Sequence, residues 1–404
     1  MLGKRNWLEA TQYFKLTRKF LLHFQVFSFS DNAYPISRFL TCSRYFPNIK
    51  FTNVKFSPHN DTFWTDYGEI IENLSLNNCI INKVEFLRIL RSTPHLHSLE
   101  VIQCDDLYKS WTISKKVSLC QPKFQLPYLT ELRIQGTSLI TKEIFESIVS
   151  LLPNISSLTL DNCFHDSTVK ERVQFLNTLI KFLTNQVSFI KSLNLIQTPV
   201  DEIFLEQLSM VIDLKLQEFH LTFNGVISPK SGMTMLLHKQ INLQVLDLTD
   251  SKGLTNSCMI EICKNMPNLK KLILNKCWQI NDGGLREVNN LTKLEILNIS
   301  SCDRVTDFGI DCCLGLSVNG MAKKLLQIKE LHLGVLPYMS VASTIQISQY
   351  YNQLELLDLS GSSNSITDTV LQMIFKHQTK LKHLNLDCCA KVKYFFLLCT
   401  SKYL

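Results

Sequence analysis

Cysteine and histidine are the residue types in this chain with the clearest potential for chemistry. Fourteen cysteines and ten histidines occur among 404 residues. Two pairs of thiols are adjacent, Cys312–Cys313 and Cys388–Cys389, and such pairs could suggest catalysis or metal binding. The sequence nevertheless has no CxxC pair and no Cys/His set with the spacing of zinc ligands. We therefore expect no metal site and no cofactor.

Catalysis needs a nucleophile or an acid–base pair held in a cleft. His332 and His383 fall on predicted strands at outward positions, and no cysteine is placed to form a dyad with either. Neighbours along a strand or helix point in different directions, so one thiol of each adjacent pair should be buried and one exposed. No P-loop, GxGxxG fingerprint or HExxH motif is present. We predict that the protein is not an enzyme.

The cysteines are explained better by a repeated frame, L-x-x-L-x-L-x-x-C. Thirteen units fit it, most of them 25 to 27 residues apart. Their first apolar anchors are Phe51, Ile71, Leu96, Leu129, Ile155, Ile190, Leu216, Leu243, Leu269, Leu294, Ile328, Leu354 and Leu381. A degenerate fourteenth copy is expected at Leu21, with Phe24, Val26 and Phe29 at the matching positions.

Two periods within each unit predict its structure. Apolar residues alternate between the first and third anchors, as in "LEILNI" from Leu294, which is typical of a strand with one buried face. A turn and a helically spaced stretch follow, as in "ITDTVLQMIFKH" from Ile366. One strand and one helix cannot bury their own apolar sides, whereas stacked units can. The fold class is therefore α/β, a solenoid over residues 21–390 with parallel strands on a concave face and helices on a convex face.

The ninth position of the frame places a small side chain where the chain leaves each strand. There the thiol should point inward, fill space and donate a weak S–H hydrogen bond. Cysteines take this position at Cys79, Cys104, Cys163, Cys277, Cys302 and Cys389, and Thr198, Asn224, Ser251 and Ser362 take it in other units.

Helix starts are marked by short motifs after the ninth position. "INDGGL" at Ile280, "VTDFGI" at Val305 and "ITDTVL" at Ile366 place Asn or Thr before Asp, and "LTNSCM" at Leu254 is a weaker copy. The Asn or Thr side chain can cap exposed N–H groups, and the Asp complements the positive end of the helix dipole.

At these residues the sequence resembles the cysteine-containing leucine-rich repeats of F-box/leucine-rich-repeat proteins, the substrate-recognition subunits of cullin-based ubiquitin ligases. The resemblance implies a non-catalytic receptor of an SCF-type E3 ligase, which binds a protein substrate and, through an F-box, the Skp adaptor and cullin. The alternative is a leucine-rich-repeat scaffold without a ligase role. A secreted repeat protein is disfavoured because no signal peptide or flanking disulfide caps are recognised.

The ends of the chain depart from this family pattern. Residues 1–20 are expected to be an F-box remnant or an N-terminal capping helix, with most of the F-box missing. In the first interpretation Arg5 and Trp7 match the basic and Trp positions at the end of an F-box. Residues 391–404 form a divergent C-terminal tail without a polar cap.

Candidate partner-binding residues are those that should point outward from the strands. They are Asn194, His220, Asp247, Ile273, Asn298, His332, Asp358 and Asn385, and they change in size and charge from unit to unit, as either a binding surface or a merely solvated one would. Trp278, at a turn rim, is either an anchor for a partner or a staple between repeats. Trp111 lies in a long insertion that is either a partner-contacting loop or a tolerated surface loop, and a second insertion, from His165, is expected to be a lengthened helix.

Bulk properties limit the partners and the compartment. The formal net charge of +7 is spread along the chain and does not form the dense basic patch of a nucleic-acid groove. No stretch reaches the roughly 18 apolar residues of a membrane span. We expect a protein partner, no nucleic acid and no membrane, in the cytoplasm or the nucleus.

Overall fold

The computed structural model describes residues 21–25, 28–29, 46–56, 61–113, 124–137, 139–164, 167–223, 231–316, 325–362 and 365–391. The chain divides by its internal contacts into two units, Met1–Pro199 and Val200–Leu404. Each unit alternates short parallel strands with helices. No helix in the described ranges combines the length and apolar character needed to cross a membrane.

Fourteen strands are parallel and follow one another in chain order, seven in each unit. In the first unit they are β1 (Leu21–Gln25), β2 (Asn48–Thr52), β3 (Asn73–Asn77), β4 (Ser98–Ile102), β5 (Glu131–Gln135), β6 (Ser157–Asp161) and β7 (Ser192–Leu195). In the second they are β8 (Glu218–Leu221), β9 (Val245–Asp247), β10 (Lys271–Ile273), β11 (Ile296–Asn298), β12 (Glu330–His332), β13 (Leu356–Asp358) and β14 (His383–Asn385). A separate short pair joins Ser28–Phe29 to Lys55–Phe56.

Helices connect the strands, as parallel pairing requires. They are α1 (Asp61–Tyr67), α2 (Lys83–Ser92), α3 (Asp105–Ile113), α4 (Lys142–Val149), α5 (Val169–Asn185), α6 (Glu202–Met210), α7 (Gly232–Lys239), α8 (Asn256–Asn265), α9 (Asp282–Leu285), α10 (Asp307–Leu314), α11 (Val341–Tyr350) and α12 (Asp368–His377). Short 3-10 helices cover Gly68–Ile70 and Arg286–Asn290. The lengthened helix predicted from His165 is confirmed as α5, whose 17 residues begin with a capping box at Thr168.

The apolar anchors form the core, as the alternation predicts. Leu294, Leu297 and Ile299 of the β11 repeat are at most 1% exposed, and the same three positions are buried in nearly every other repeat. Each strand sends its second and third anchors toward the helices and its intervening residue to the opposite face. Burial of these aliphatic side chains supplies the main favourable free energy of stacking.

The frame predicted for the first two repeats is wrong. Ile49 pairs with Leu74 and Phe51 with Leu76, so Phe51 is the third anchor of its repeat rather than the first. Likewise Phe24 pairs with Phe51 and is a third anchor rather than a second one. The error arose because these repeats use Phe at the anchor positions, and several phenylalanines nearby fit a shifted frame equally well. Phe24 and Phe51 stack with centroids 5.0 Å apart.

Trp111 also differs from expectation, because it lies in a helix and is only 4% exposed. Its ring lies 6.3 Å from that of Phe86, and Lys83 Nζ lies 5.0 Å from its centroid. The prediction of an exposed partner-contacting loop at Trp111 is therefore corrected: α3 begins directly after Cys104 and carries the indole into the core. Residues 114–123 of the same insertion lie outside the described part of the chain.

The residue before the ninth position is left-handed in nearly every repeat. Asn53, Asn78, Gln103, Asn162, Gln197, Asp250, Lys276, Ser301, Val335 and Cys388 have φ between 50° and 60°, and Gly136 and Gly361 have φ near 70°. Asn, Asp and Gly adopt this conformation at low cost, whereas a β-branched residue such as Val335 does not. This residue turns the chain out of the strand and aims the ninth side chain inward.

The ninth side chain binds a carbonyl of the preceding repeat. Cys302 Sγ lies 3.1 Å from Leu274 O and Cys277 Sγ lies 3.1 Å from Leu248 O. Thr198 and Ser251 donate to the equivalent carbonyls at 2.6 and 3.3 Å. All six predicted cysteines are buried, which confirms their expected packing role, whereas Asn224 lies outside the described residues. Of the adjacent pairs, Cys313 and Cys389 are buried while Cys312 is half-buried and Cys388 exposed, as expected.

The helix-start motif links repeats as well as capping helices. Asn281 and Thr367 accept from Gly283 N and Val370 N, as predicted, but Thr255 and Thr306 make no such cap. Instead, Thr306 N and Oγ1 donate to the Asp282 carboxylate of the preceding repeat at 2.8 and 2.7 Å.

The same link recurs on both sides of Asp282. Asn281 N donates to Asn256 Oδ1 at 3.2 Å, and Ser340 N donates to Asp307 Oδ1 at 2.8 Å. The first residue of one helix therefore binds the chain at the start of the next helix. The glycine of the motif leaves room for this approach, because a Cβ on Gly309 would collide with Asp282 Oδ1.

Candidate functional site

The strongest candidate site is the side of β8–β14 that faces away from the helices, which we call the open face. One row across it consists of His220, Asp247, Ile273, Asn298, His332, Asp358 and Asn385, which lie directly opposite one another in successive strand pairs. The structure thus brings together seven of the candidate residues named from the sequence. Asn194 occupies the equivalent position on β7 of the first unit.

Asparagine and aspartate recur in this row because they end their own strands. Asp247 Oδ1 accepts from Thr249 N at 2.9 Å, and Asn298, Asp358 and Asn385 accept from the N–H two residues on at 2.9, 3.0 and 3.0 Å. Asn194 makes the same contact at 3.0 Å. This local turn is typical of Asx residues. Sequence reasoning missed this turn and considered these side chains only as a binding surface or a solvated one.

Two histidine–aspartate pairs lie on the open face, four strand spacings apart. His220 Nδ1 lies 3.4 Å from Asp247 Oδ2, and both side chains are less than one-fifth exposed. His332 Nδ1 lies 3.7 Å from Asp358 Oδ2, and its Nε2 lies 3.9 Å from Glu330 Oε2. In each pair one carboxylate oxygen binds the backbone and the other faces the imidazole, so the carboxylate is held in a fixed orientation.

The Asp247 carboxylate is the most constrained of these groups. Burial by itself raises its pKa, but hydrogen bonds from His220 and Thr249 outweigh that effect, and the pKa of Asp247 lies below its usual range. The carboxylate is therefore ionised at neutral pH, although Asp247 is only 7% exposed.

A second row, two residues earlier on each strand, was not singled out from the sequence. It contains Glu218, Val245, Lys271, Ile296, Glu330, Leu356 and His383. Val245, Ile296 and Leu356 are half-buried and contribute aliphatic surface beside Ile273. The period-2 alternation that locates Ile273 also locates this row, so the signal was present in the sequence.

The open face is acidic although the chain as a whole is basic. Its charged residues are the carboxylates Glu218, Asp247, Glu330 and Asp358 and a single ammonium group, Lys271, and Asp387 follows two residues after the end of β14. The complete chain, in contrast, has a net charge of +7. The corresponding face of the first unit is more balanced, with Lys50 and Arg133 among Glu100, Glu131 and Asp161, and Arg133 lies 3.6 Å from Asp161. An excess of one sign is thus a property of the second unit's face.

In a neighbouring row, charged side chains form ion pairs between successive repeats. Just after the first anchor of each repeat, Glu295, Lys329, Glu355 and Lys382 alternate in sign. Lys329 Nζ lies 2.6 Å from Glu295, and Lys382 Nζ lies 2.6 Å from Glu355. These charges neutralise one another. On the open face the carboxylates outnumber the one lysine, and the contacts of Asp247 and Asp358 are with imidazoles.

Trp278 lies at the turn rim beside the open face and is 46% exposed. Lys252 Nζ of the preceding repeat lies 5.4 Å from its ring centroid. This contact joins two repeats, as the staple interpretation requires, and leaves part of the indole accessible. Its role in partner binding stays a prediction.

No group of three or more metal-ligating side chains was found among the described residues. Burial raises the pKa of the Cys163 and Cys302 thiols to about 12, so these sulfurs are protonated at neutral pH and are poor nucleophiles. Arg5 and Trp7 of the expected F-box remnant lie outside the described residues, as do residues 392–404.

Comparisons with known proteins agree with this architecture. A family model described as "Leucine Rich repeat" matches residues 290–312, which hold β11 and the start of α10. The crystal structure of the yeast Rad7 and Elc1 complex is similar with a TM-score of 0.51 and 16% identity, over 85% of this chain and 78% of that chain. The fold is a leucine-rich-repeat solenoid.

Two further solved structures resemble this leucine-rich-repeat chain. An internalin from Listeria monocytogenes str. 4b F2365 matches with a TM-score of 0.38 and 15% identity, over 86% of this chain and 79% of that chain. The TLR13–ssRNA13 complex matches with a TM-score of 0.47 and 16% identity, over 90% of this chain and 51% of that chain.

The arrangement is suited to binding. The open face offers fixed carboxylates, three imidazoles and aliphatic surface on a ladder of paired strands, so little conformational entropy remains to be lost on association.

Proposed function

We propose that this leucine-rich-repeat protein is a non-catalytic substrate receptor of an SCF-type E3 ubiquitin ligase, acting in the cytoplasm or nucleus. The observation that carries the binding role is the open face, where unlike side chains stand in register on a rigid ladder. The ligase role is supported by the cysteine-containing repeats and the resemblance that they imply. The fold likeness to the Rad7–Elc1 complex is consistent with a repeat protein that works in an assembly.

Adaptor docking is assigned to Arg5 and Trp7 and substrate binding to the open face. The Skp adaptor and cullin would therefore bind one part of the chain while the substrate binds another. An interaction scaffold without ligase role is the second candidate, and it shares the open face but not the adaptor.

The test is affinity purification of the full chain from cells, followed by mass spectrometry. We expect the Skp adaptor and a cullin to co-purify, and Trp7→Ala to lose both while retaining open-face partners. The double variant Asp247→Asn/Asp358→Asn should retain the adaptor. Complexes free of adaptor and cullin would contradict the ligase role and leave the scaffold.

A further inference from the structure

We propose that the open face of β8–β14 binds a cationic polypeptide segment, with lysine or arginine side chains placed on either side of an aliphatic residue. This inference rests on the proposed function in taking the open face as the partner surface, and it specifies the chemistry of the partner.

Charge complementarity is the first argument. Four carboxylates and one lysine lie on the open face, and Asp387 lies two residues beyond its last strand, in a chain whose net charge is +7. In the adjacent Glu–Lys row, carboxylates and ammonium groups pair with one another at 2.6 Å. The excess of carboxylates on the open face is therefore not a general feature of the strands. An acidic surface repels phosphate backbones and attracts lysine and arginine, which excludes a nucleic acid as the occupant.

The position of the aliphatic residues is the second argument. Ile273 and Ile296 lie on β10 and β11. Val245 lies on β9 opposite Lys271, which in turn lies opposite Ile296. Ile273 and Ile296 are half-buried, and they lie on strands between those of Asp247 and Asp358. An aliphatic side chain of the partner would be desolvated there, while its charged neighbours remain at the polar rim, as in other protein interfaces.

Strand spacing sets the length of the segment. Asp247 and Asp358 are separated by four strand spacings of ~4.8 Å, or about 19 Å. An extended peptide covers this distance in roughly six residues at ~3.3 Å each. The two basic side chains of an extended partner should therefore be about six residues apart, with the aliphatic residue between them.

The carboxylates can be neutralised without damage to the strands. Asn298 and Asn385 end their strands through the same side-chain oxygen contact that Asp247 and Asp358 make. Asp247→Asn/Asp358→Asn therefore keeps these turns and removes two negative charges. Glu295→Gln/Glu355→Gln removes the same number of charges from the internally neutralised row and is the matched control.

The experiment selects a random twelve-residue peptide library on phage against the full-length protein. We expect the recovered peptides to be enriched in lysine and arginine flanking an aliphatic residue. Measured by fluorescence anisotropy, their binding should be about tenfold weaker to Asp247→Asn/Asp358→Asn, weaken with salt, and be unchanged by Glu295→Gln/Glu355→Gln.

Acidic or charge-indifferent peptides, equal losses in both double variants, or no selective peptide at all would each overturn the proposal. Adaptor recovery in cells is a separate measurement, so a failed ligase role leaves this peptide selection unaffected. Conversely, a failed selection leaves the adaptor result unaffected.

Discussion

At the scale of single residues, each side chain beside a strand end has a definable task. The eighth residue of the repeat adopts a left-handed conformation that turns the chain. The ninth side chain binds a carbonyl of the preceding repeat, and the Asn or Asp oxygen at the strand end accepts the N–H two residues on. Val335 is the exception at position eight, because it holds φ 56° with a β-branched side chain that is 50% exposed. Left-handed backbone at such a residue costs about 1–2 kcal/mol.

Replacement of Val335 by Asn should therefore stabilise the protein. Asn occupies the same position at Asn53, Asn78 and Asn162 with similar φ. We expect Val335→Asn to raise the free energy of unfolding by about 1 kcal/mol in chemical denaturation. Asn78→Val, which introduces the strain elsewhere, is the converse control and should lower it. An unchanged midpoint in both variants would show that the backbone at this position stores no strain.

At the scale of elements, the helix-start motif couples neighbouring repeats through one carboxylate and one glycine. Asp282 accepts two hydrogen bonds from Thr306, and Gly309 leaves the space that the carboxylate occupies. The motif thus caps its own helix, binds the next repeat through its carboxylate, and uses a glycine where that carboxylate contacts the next helix.

This arrangement predicts energetic coupling between Asp282 and Gly309. Asp282→Ala should destabilise by about 1–3 kcal/mol because it leaves Thr306 without its acceptors. Gly309→Ala should destabilise the native protein through the collision, but markedly less in the Asp282→Ala background. A double-mutant cycle by denaturation measures the difference. Additive effects would show that the two residues do not share this space, and Asp303→Ala, which alters an exposed carboxylate, serves as a neutral control.

At the scale of the whole molecule, buried thiols recur along both units and make stability depend on pH. Burial raises the pKa of Cys163, Cys263 and Cys302 to about 12, against about 8.5 in an unfolded chain. Because the folded pKa is the higher one, the stabilisation is complete below pH 8.5 and is lost as pH rises toward 12.

We therefore expect the free energy of unfolding to fall between pH 8 and 9.5, by about 1 kcal/mol for each of these three thiols. Cys302→Ser should reduce this dependence by the share of one thiol while preserving the fold, since Ser251 makes the same contact with a carbonyl. Urea denaturation at a series of pH values measures the slope of unfolding free energy against pH for the native protein and for Cys302→Ser. Equal slopes for the variant and the native protein would contradict the assignment.

The leucine frame was sufficient to place the repeats from Ile71 onward, and from Leu254 the helix-start motif supports the same phase. It misplaced the repeats at Phe24 and Phe51, where phenylalanines at several spacings fit more than one frame. It also placed Trp111 in an exposed loop, because the helical spacing of α3 was hidden in a long insertion.

The candidate site was found in part. The alternation of buried and outward residues predicted the row from His220 to Asn385. It does not show which side chains of neighbouring strands contact one another, because that depends on the geometry of the paired strands. The pairing of His220 with Asp247 and of His332 with Asp358 therefore emerged only from the structure. The acidity of the open face is likewise a sum over strands far apart in sequence.

The Asx oxygens that close the strands have one further consequence. At these positions an amide oxygen and a carboxylate oxygen accept the same backbone N–H hydrogen bond. Replacement of Asn298 or Asn385 by Asp would therefore change the surface potential without disturbing the strand ends. Related proteins with this repeat could therefore change which partners they bind by single-charge substitutions in one repeat at a time, with little effect on the fold.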